Sequence, residues 1–117
     1  MDVDGILRHA INDRRLIDFL LHGLRRVAQP HTYGNFDGVE HLLVYQVGGE
    51  SRSGKLPDWR RFKVSDMRDV RMLDEHFSPP PIATSRHMRW DIVFVRVEQE
   101  SGRRSGANVR RARPRVR

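Results

Sequence analysis

Leu16-Ile17-Asp18-Phe19-Leu20-Leu21-His22-Gly23-Leu24-Arg25-Arg26-Val27-Ala28 is where the hydrophobic period of this chain changes. Before it, Val3, Ile6, Leu7, Ala10 and Ile11 recur at helical spacing and make one apolar face. Asp2 or Asp4 can cap that helix, since an acid at a helix start accepts from free backbone N–H groups and suits the dipole. Asn12-Asp13-Arg14-Arg15 ends it with polar residues. From Leu16 the apolar residues are partly alternating, His22-Gly23 offers a tight turn with glycine supplying positive φ, and Leu24 to Ala28 returns as a second strand. The stretch predicts a hairpin after one short helix.

Downstream, Pro30 is expected to stop pairing, because proline has no backbone N–H for a ladder. Asn35 to Gly38 is rich in turn formers. Val39 to Val47 predicts a third strand, with Leu42 and Val44 on one face and Leu43 and Tyr45 on the other. Gly48 to Asp58 predicts a long loop, a place where function often resides. Trp59 to Val64 predicts a fourth strand, with Arg60, Phe62 and Val64 on one side, and Asp69 to Leu73 a fifth. Ser78-Pro79-Pro80-Pro81 marks a boundary. Beyond it, Trp90 to Val97 is β-branched and aromatic enough for one more strand, which either adds to the sheet's edge or pairs with a copy of itself. The expected fold is mainly β (α+β): a short N-terminal helix, then a small antiparallel β-barrel. The expected divisions are a helix-plus-barrel domain over 1–78, a Pro-rich linker with an extra strand over 79–98, and a disordered Arg-rich tail over 99–117.

The 117 residues carry a net charge of +7, of which +6 falls in residues 99–117 and +1 in the rest. The tail arginines, Arg103, Arg104, Arg110, Arg111 and Arg113 among them, form a cationic arm suited to polyanions, most often nucleic acid. There is no cysteine, which excludes disulfides and thiolate metal sites and favours a reducing compartment. The acidic start lacks a signal pattern, and no apolar run approaches membrane-spanning length. A soluble, cytoplasmic protein without membrane contact is expected.

In order along the chain stand Ile17-x-Phe19, Gly23, Arg26-Val27, Pro30-His31-x-Tyr33-Gly34, Leu42-x-x-Tyr45-Gln46, Gly49-x-Ser51-x-Ser53-Gly54, Pro57-x-Trp59-Arg60-x-Phe62-x-Val64 and Phe77. This series, over about residues 5–78, resembles small stand-alone bacterial proteins of the WYL-like type and, more distantly, the WYL domains of bacterial transcription regulators. The resemblance implies an Sm-like or SH3-like barrel. In the regulators it implies sensing of a ligand, sometimes a nucleotide or single-stranded nucleic acid. Glu40-His41-Leu42 stands where the Trp-Tyr-Leu triplet would be, Asp66 where an arginine is usual, and Leu21 where a strand tyrosine is usual.

The chemistry on offer is that of binding. Gly49 to Lys55 has the G-x-x-x-x-G-K spacing of a phosphate loop, but Leu56 replaces the magnesium-binding hydroxyl and Pro57 leads into a strand, so nucleotide hydrolysis is excluded. Ser51, Arg52 and Ser53 remain candidates for holding a phosphate or carboxylate. The six histidines are scattered without ligand spacing, so no metal and no cofactor is expected, and no nucleophile is fixed beside a base, so no enzyme is expected either. Trp59, Tyr45 and Tyr33 are the candidates for stacking, and Arg26 and Arg60 for anion contacts. His31 and Gln46 are the candidates for orientation. All are expected on one shared rim. The alternative use of the same residues is structural, with Phe62 and one of the tyrosines filling the core. Two functions stay open: a non-enzymatic sensor of an anionic ligand or single-stranded nucleic acid, and a protein-interaction module, either a homodimer or the partner of a separate regulator, whose pairing edge is the strand at residues 90–97.

Overall fold

Asp2 caps the first helix, α1 (Val3–Asp13), by accepting from the Gly5 amide at 2.9 Å. Such a cap contributes about 1 kcal/mol. Asp4 and Arg8 pair one turn apart on its exposed side, at 3.1 Å. Leu7, Ala10 and Ile11 are fully buried on the other. The helix ends at Arg14 in the left-handed region, whose N–H bonds the carbonyls of Ala10 and Ile11. A computed structural model describes residues 2–49, 56–78 and 89–98.

Six strands follow: β1 (Arg15–Leu21), β2 (Leu24–Phe36), β3 (Val39–Gly49), β4 (Asp58–Lys63), β5 (Met67–His76) and β6 (Ile92–Arg96), with a 3-10 turn at Val64–Asp66 between β4 and β5. His22-Gly23 and Asp37-Gly38 both have positive φ at each residue, the pattern of two-residue hairpin turns whose twist matches that of strands. All pairings are antiparallel, in the order β4-β3-β2-β1-β5. The fold is therefore mainly β with one short N-terminal helix. The sheet is not closed: among the described strands, β4 and β5 at the ends of the order do not pair.

Pro30 does not stop pairing, contrary to expectation. It lies opposite Val44 inside β2, and the strand runs on to Phe36. One edge of β2 is taken by β3 along residues 26–36, so β1 and β6 must share the other. β1 uses it as far as Ala28 and β6 from Thr32 onward. Pro30 falls between them, beside the register shift at His31, where the regular ladder is already interrupted. Of the two expected uses of the last strand, the structure shows the first: β6 adds to β2, and Val97 just after it enters the core. β6 thus packs on the core that the first 78 residues build. Residues 79–88 and the tail 99–117 lie outside the described residues.

The core gathers Leu7, Ile11, Ile17, Phe19, Tyr33, Leu42 and Val44, all at 1% exposure or less, between α1 and the inner face of the sheet. Each such apolar side chain contributes about 1.5–3 kcal/mol on burial. On the outer side of β1, Asp18 accepts from Arg71 at 2.8 and 3.0 Å and from Arg25 at 3.2 Å, which ties β1 to both its neighbours.

Candidate functional site: two faces of one sheet

The alternation of β3 defines the two faces. Leu42 and Val44 belong to the core cluster and Gln46 shares their side; Leu43, Tyr45 and Val47 point away from it, with Leu43 buried on that other side, Tyr45 half-buried and Val47 exposed. Residues directly opposite across an antiparallel pair share a face. Phe62 and Arg60, opposite Leu42 and Val44, are therefore inner, whereas Arg61 and Trp59, opposite Leu43 and Tyr45, are outer. The expected common rim is not formed. Trp59 and Arg60 are neighbours in a strand and project to opposite sides.

The inner group is a set of internal cross-links. Arg26, 4% exposed, donates from Nη1 to Gln46 Oε1 at 3.3 Å and lies 5.2 Å from the Phe62 ring centre. Gln46 Nε2 donates to the Gly48 carbonyl at 3.1 Å. Arg60 pairs with Asp58 at 3.7 Å. Tyr33 is inner as well, but it serves the helix. Its hydroxyl lies 2.9 Å from Asp4 Oδ1 and 3.2 Å from Glu40 Oε1, and its ring packs edge-on against Phe94 at 5.0 Å. Burial, reinforced by these carboxylates, pushes that hydroxyl well above the usual phenol range, and the bond from Tyr33 together with Arg8 holds Asp4 below the usual carboxylate range. With 1% of its surface exposed, Tyr33 has no face left for a ligand to stack on.

The outer group is different in kind. Trp59 and Tyr45 lie with ring centres 5.0 Å apart, both half-buried. His31 meets the Trp59 ring edge-on at 4.7 Å and Phe77 at 5.5 Å. It reaches this side because the register shifts by one residue between Pro30 and Thr32, which places an extra residue on the face of Leu43. Burial holds its imidazole down at about 4, so it is neutral at physiological pH. Further along, Arg61 stands 4.7 Å from the Phe36 ring and 5.8 Å from the Trp90 ring, and donates to the Arg89 carbonyl at 3.1 Å. Lys63, opposite His41, is exposed beyond it. The carboxylates of these two strands, Glu40 and Asp58, are two residues from Leu42 and Arg60 and so belong to the inner face. The outer side of β3 and β4 thus presents rings, one guanidinium and one ammonium, with no acid of its own.

Arg61, Lys63 and Gln29 are the residues that the sequence reading passed over, although Trp59, Arg61 and Lys63 share the period-two spacing that marks one strand face. Ser51, Arg52, Ser53 and the tail arginines Arg103, Arg104, Arg110, Arg111 and Arg113 lie outside the described residues. A cleft of about 680 Å3 opens between the end of α1 and the ends of β5 and β6, with Asp13, Arg14, His76, Arg96 and Glu98 in its wall. None of the candidate binding residues read from the sequence lines it. Among the described residues, no three His, Asp or Glu side chains converge on a point that could hold a metal ion. No helix among them is long and apolar enough to cross a membrane. No family model, no curated protein and no solved structure matches the chain.

Proposed function

We propose that this chain is a non-enzymatic, WYL-like binding module of regulatory type, and that the outer face of β2, β3 and β4 takes single-stranded nucleic acid. The observation that carries this reading is the set formed by Trp59, Arg61 and Lys63 on β4 beside Tyr45 and His41 on β3, a strip that brings two aromatic rings, an imidazole and two cations to one face around the buried Leu43, with the carboxylates of both strands turned away. Stacking on aromatic rings tolerates any base, and cations two residues apart in a strand are about 6.6 Å apart, a step suited to an extended phosphate backbone.

Fluorescence anisotropy of a labelled single-stranded 15-mer tests the proposal. Trp59→Ala should weaken binding about tenfold, as loss of one stacked base does. Lys63→Glu, a fully surface change, should weaken it further at low salt than at high salt. Equal affinities for the parent chain and both variants would refute the assignment of this face.

A second reading rests on β6. Its second edge is unpaired among the described strands, and Ile92 on it is 57% exposed. Such an edge can accept a strand from a second copy. Light scattering decides: a dimer that Ile92→Lys converts to monomer supports this use, and a monomeric parent chain removes it.

A further inference from the structure

Gln29 lies opposite Tyr45, which lies opposite Trp59, so the three side chains form one row across the outer face. Next to the row, His31 Nε2 is 3.2 Å from Gln29 Oε1, and His31 Nδ1 is buried with no hydrogen-bond partner among the described residues. The tautomer follows from that orphan. If Nε2 carried no proton, Nδ1–H would be a buried donor with nothing to accept it. With the proton on Nε2, the ring donates to Gln29 Oε1 and leaves only a bare lone pair inside. The amide oxygen of Gln29 is then held by the imidazole, and its NH2 group, which has no partner among the described residues, is left to the row of rings.

A glutamine with both ends free reads adenine by accepting from its amino group and donating to its ring nitrogen. A glutamine whose oxygen is engaged offers donors alone. It suits a base that offers carbonyl oxygens and carries no amino group, as thymine and uracil do. We propose that Gln29, oriented by His31, is the specificity-determining residue of this face and favours a stacked base that presents carbonyl oxygens over one that presents an amino group. This rests on the reading of the outer face as a single-strand site and adds to it a chemical preference.

The test measures binding of labelled dT15 and dA15 at one salt concentration to the parent chain, Gln29→Ala and His31→Phe. Because dA15 stacks on itself, the informative quantity is the change in the ratio of the two affinities. Removal of one neutral hydrogen bond should lower the dT15 preference about three- to tenfold in Gln29→Ala. His31→Phe keeps a ring between Trp59 and Phe77 but frees the amide oxygen, and should shift the ratio the same way by strengthening dA15. Circular dichroism melting identifies a variant that has lost its fold, and Gln29→Ala, at a half-buried position, carries the test if His31→Phe has done so. An unchanged ratio in a folded Gln29→Ala overturns this inference and leaves the single-strand site standing. Binding of neither oligonucleotide by the parent chain overturns both.

Discussion

His31 shows how a single side chain is placed by its environment against its own charge. Free imidazole takes a proton near pH 6.5, while in the fold burial holds that event down at about 4. The unfolded chain therefore binds a proton that the native one refuses, and stability must fall as pH drops through this window. The contribution is whole above pH 6.5, shrinks below it, and has lost about 3 kcal/mol by pH 4. Urea unfolding at pH 7.5, 5.5 and 4.5 measures it as the difference in pH dependence between the parent chain and His31→Phe, which cancels the carboxylates common to both. Parallel stability curves for the two would show that His31 does not carry the effect. Tyr33 makes the complementary case. Its buried ring cannot be removed cheaply, but Tyr33→Phe deletes only the hydroxyl between Asp4 and Glu40. That change should cost about 1 kcal/mol, and less below the titration of Asp4, where the carboxylate it satisfies is protonated.

Among the elements, β6 depends most on one residue. It lies against β2 at Thr32 to Asn35, with a register shift at Gly34. A Cβ on Gly34 would overlap the Ile92 carbonyl oxygen and press on the Trp90 ring. Gly34→Val should therefore release β6 while β1 to β5 remain paired. Hydrogen exchange would show amides of Ile92 to Arg96 losing protection before those of β3, and protection lost uniformly would argue against an independent β6. Elements also divide what the sequence revealed from what it hid. α1 and the first hairpin were legible because their signals are local: helical spacing up to Ile11, a change of period at Leu16, and a glycine at the turn. The length of β2 was hidden because tolerance of Pro30 depends on where β1 ends and β6 begins, which are contacts far away in the chain. The candidate site was half legible. Strand alternation alone separates Trp59 from Arg60 and groups Trp59 with Arg61 and Lys63. The one-residue shift that turns His31 toward Trp59 has no signature in the residues themselves, since it follows from Thr32 pairing with Leu43 rather than with Leu42.

At the scale of the whole molecule the charges are mixed on β1, where Asp18 pairs with Arg25 and Arg71, and sorted on β3 and β4. Residues 1–98 are nearly neutral, yet the carboxylates of β3 and β4 are turned to the inner side, so the outer face of these two strands is cationic. On the proposed reading, the +6 of residues 99–117 would add sequence-independent attraction for phosphates. Face and tail then have separable signatures. Stacking on Trp59 is weakly dependent on salt, whereas each phosphate covered by the tail releases a counterion and adds about 0.7 to the slope of log affinity against log salt for a single strand. A chain ending at Glu98 should bind the same 15-mer with a flatter salt dependence and with most of its loss of affinity at low ionic strength. Trp59→Ala in the full chain should instead lower affinity by a similar factor at every salt concentration. If the shortened chain keeps the full slope, the tail touches no phosphate, and the salt-dependent part of binding belongs to the cations of residues 1–98.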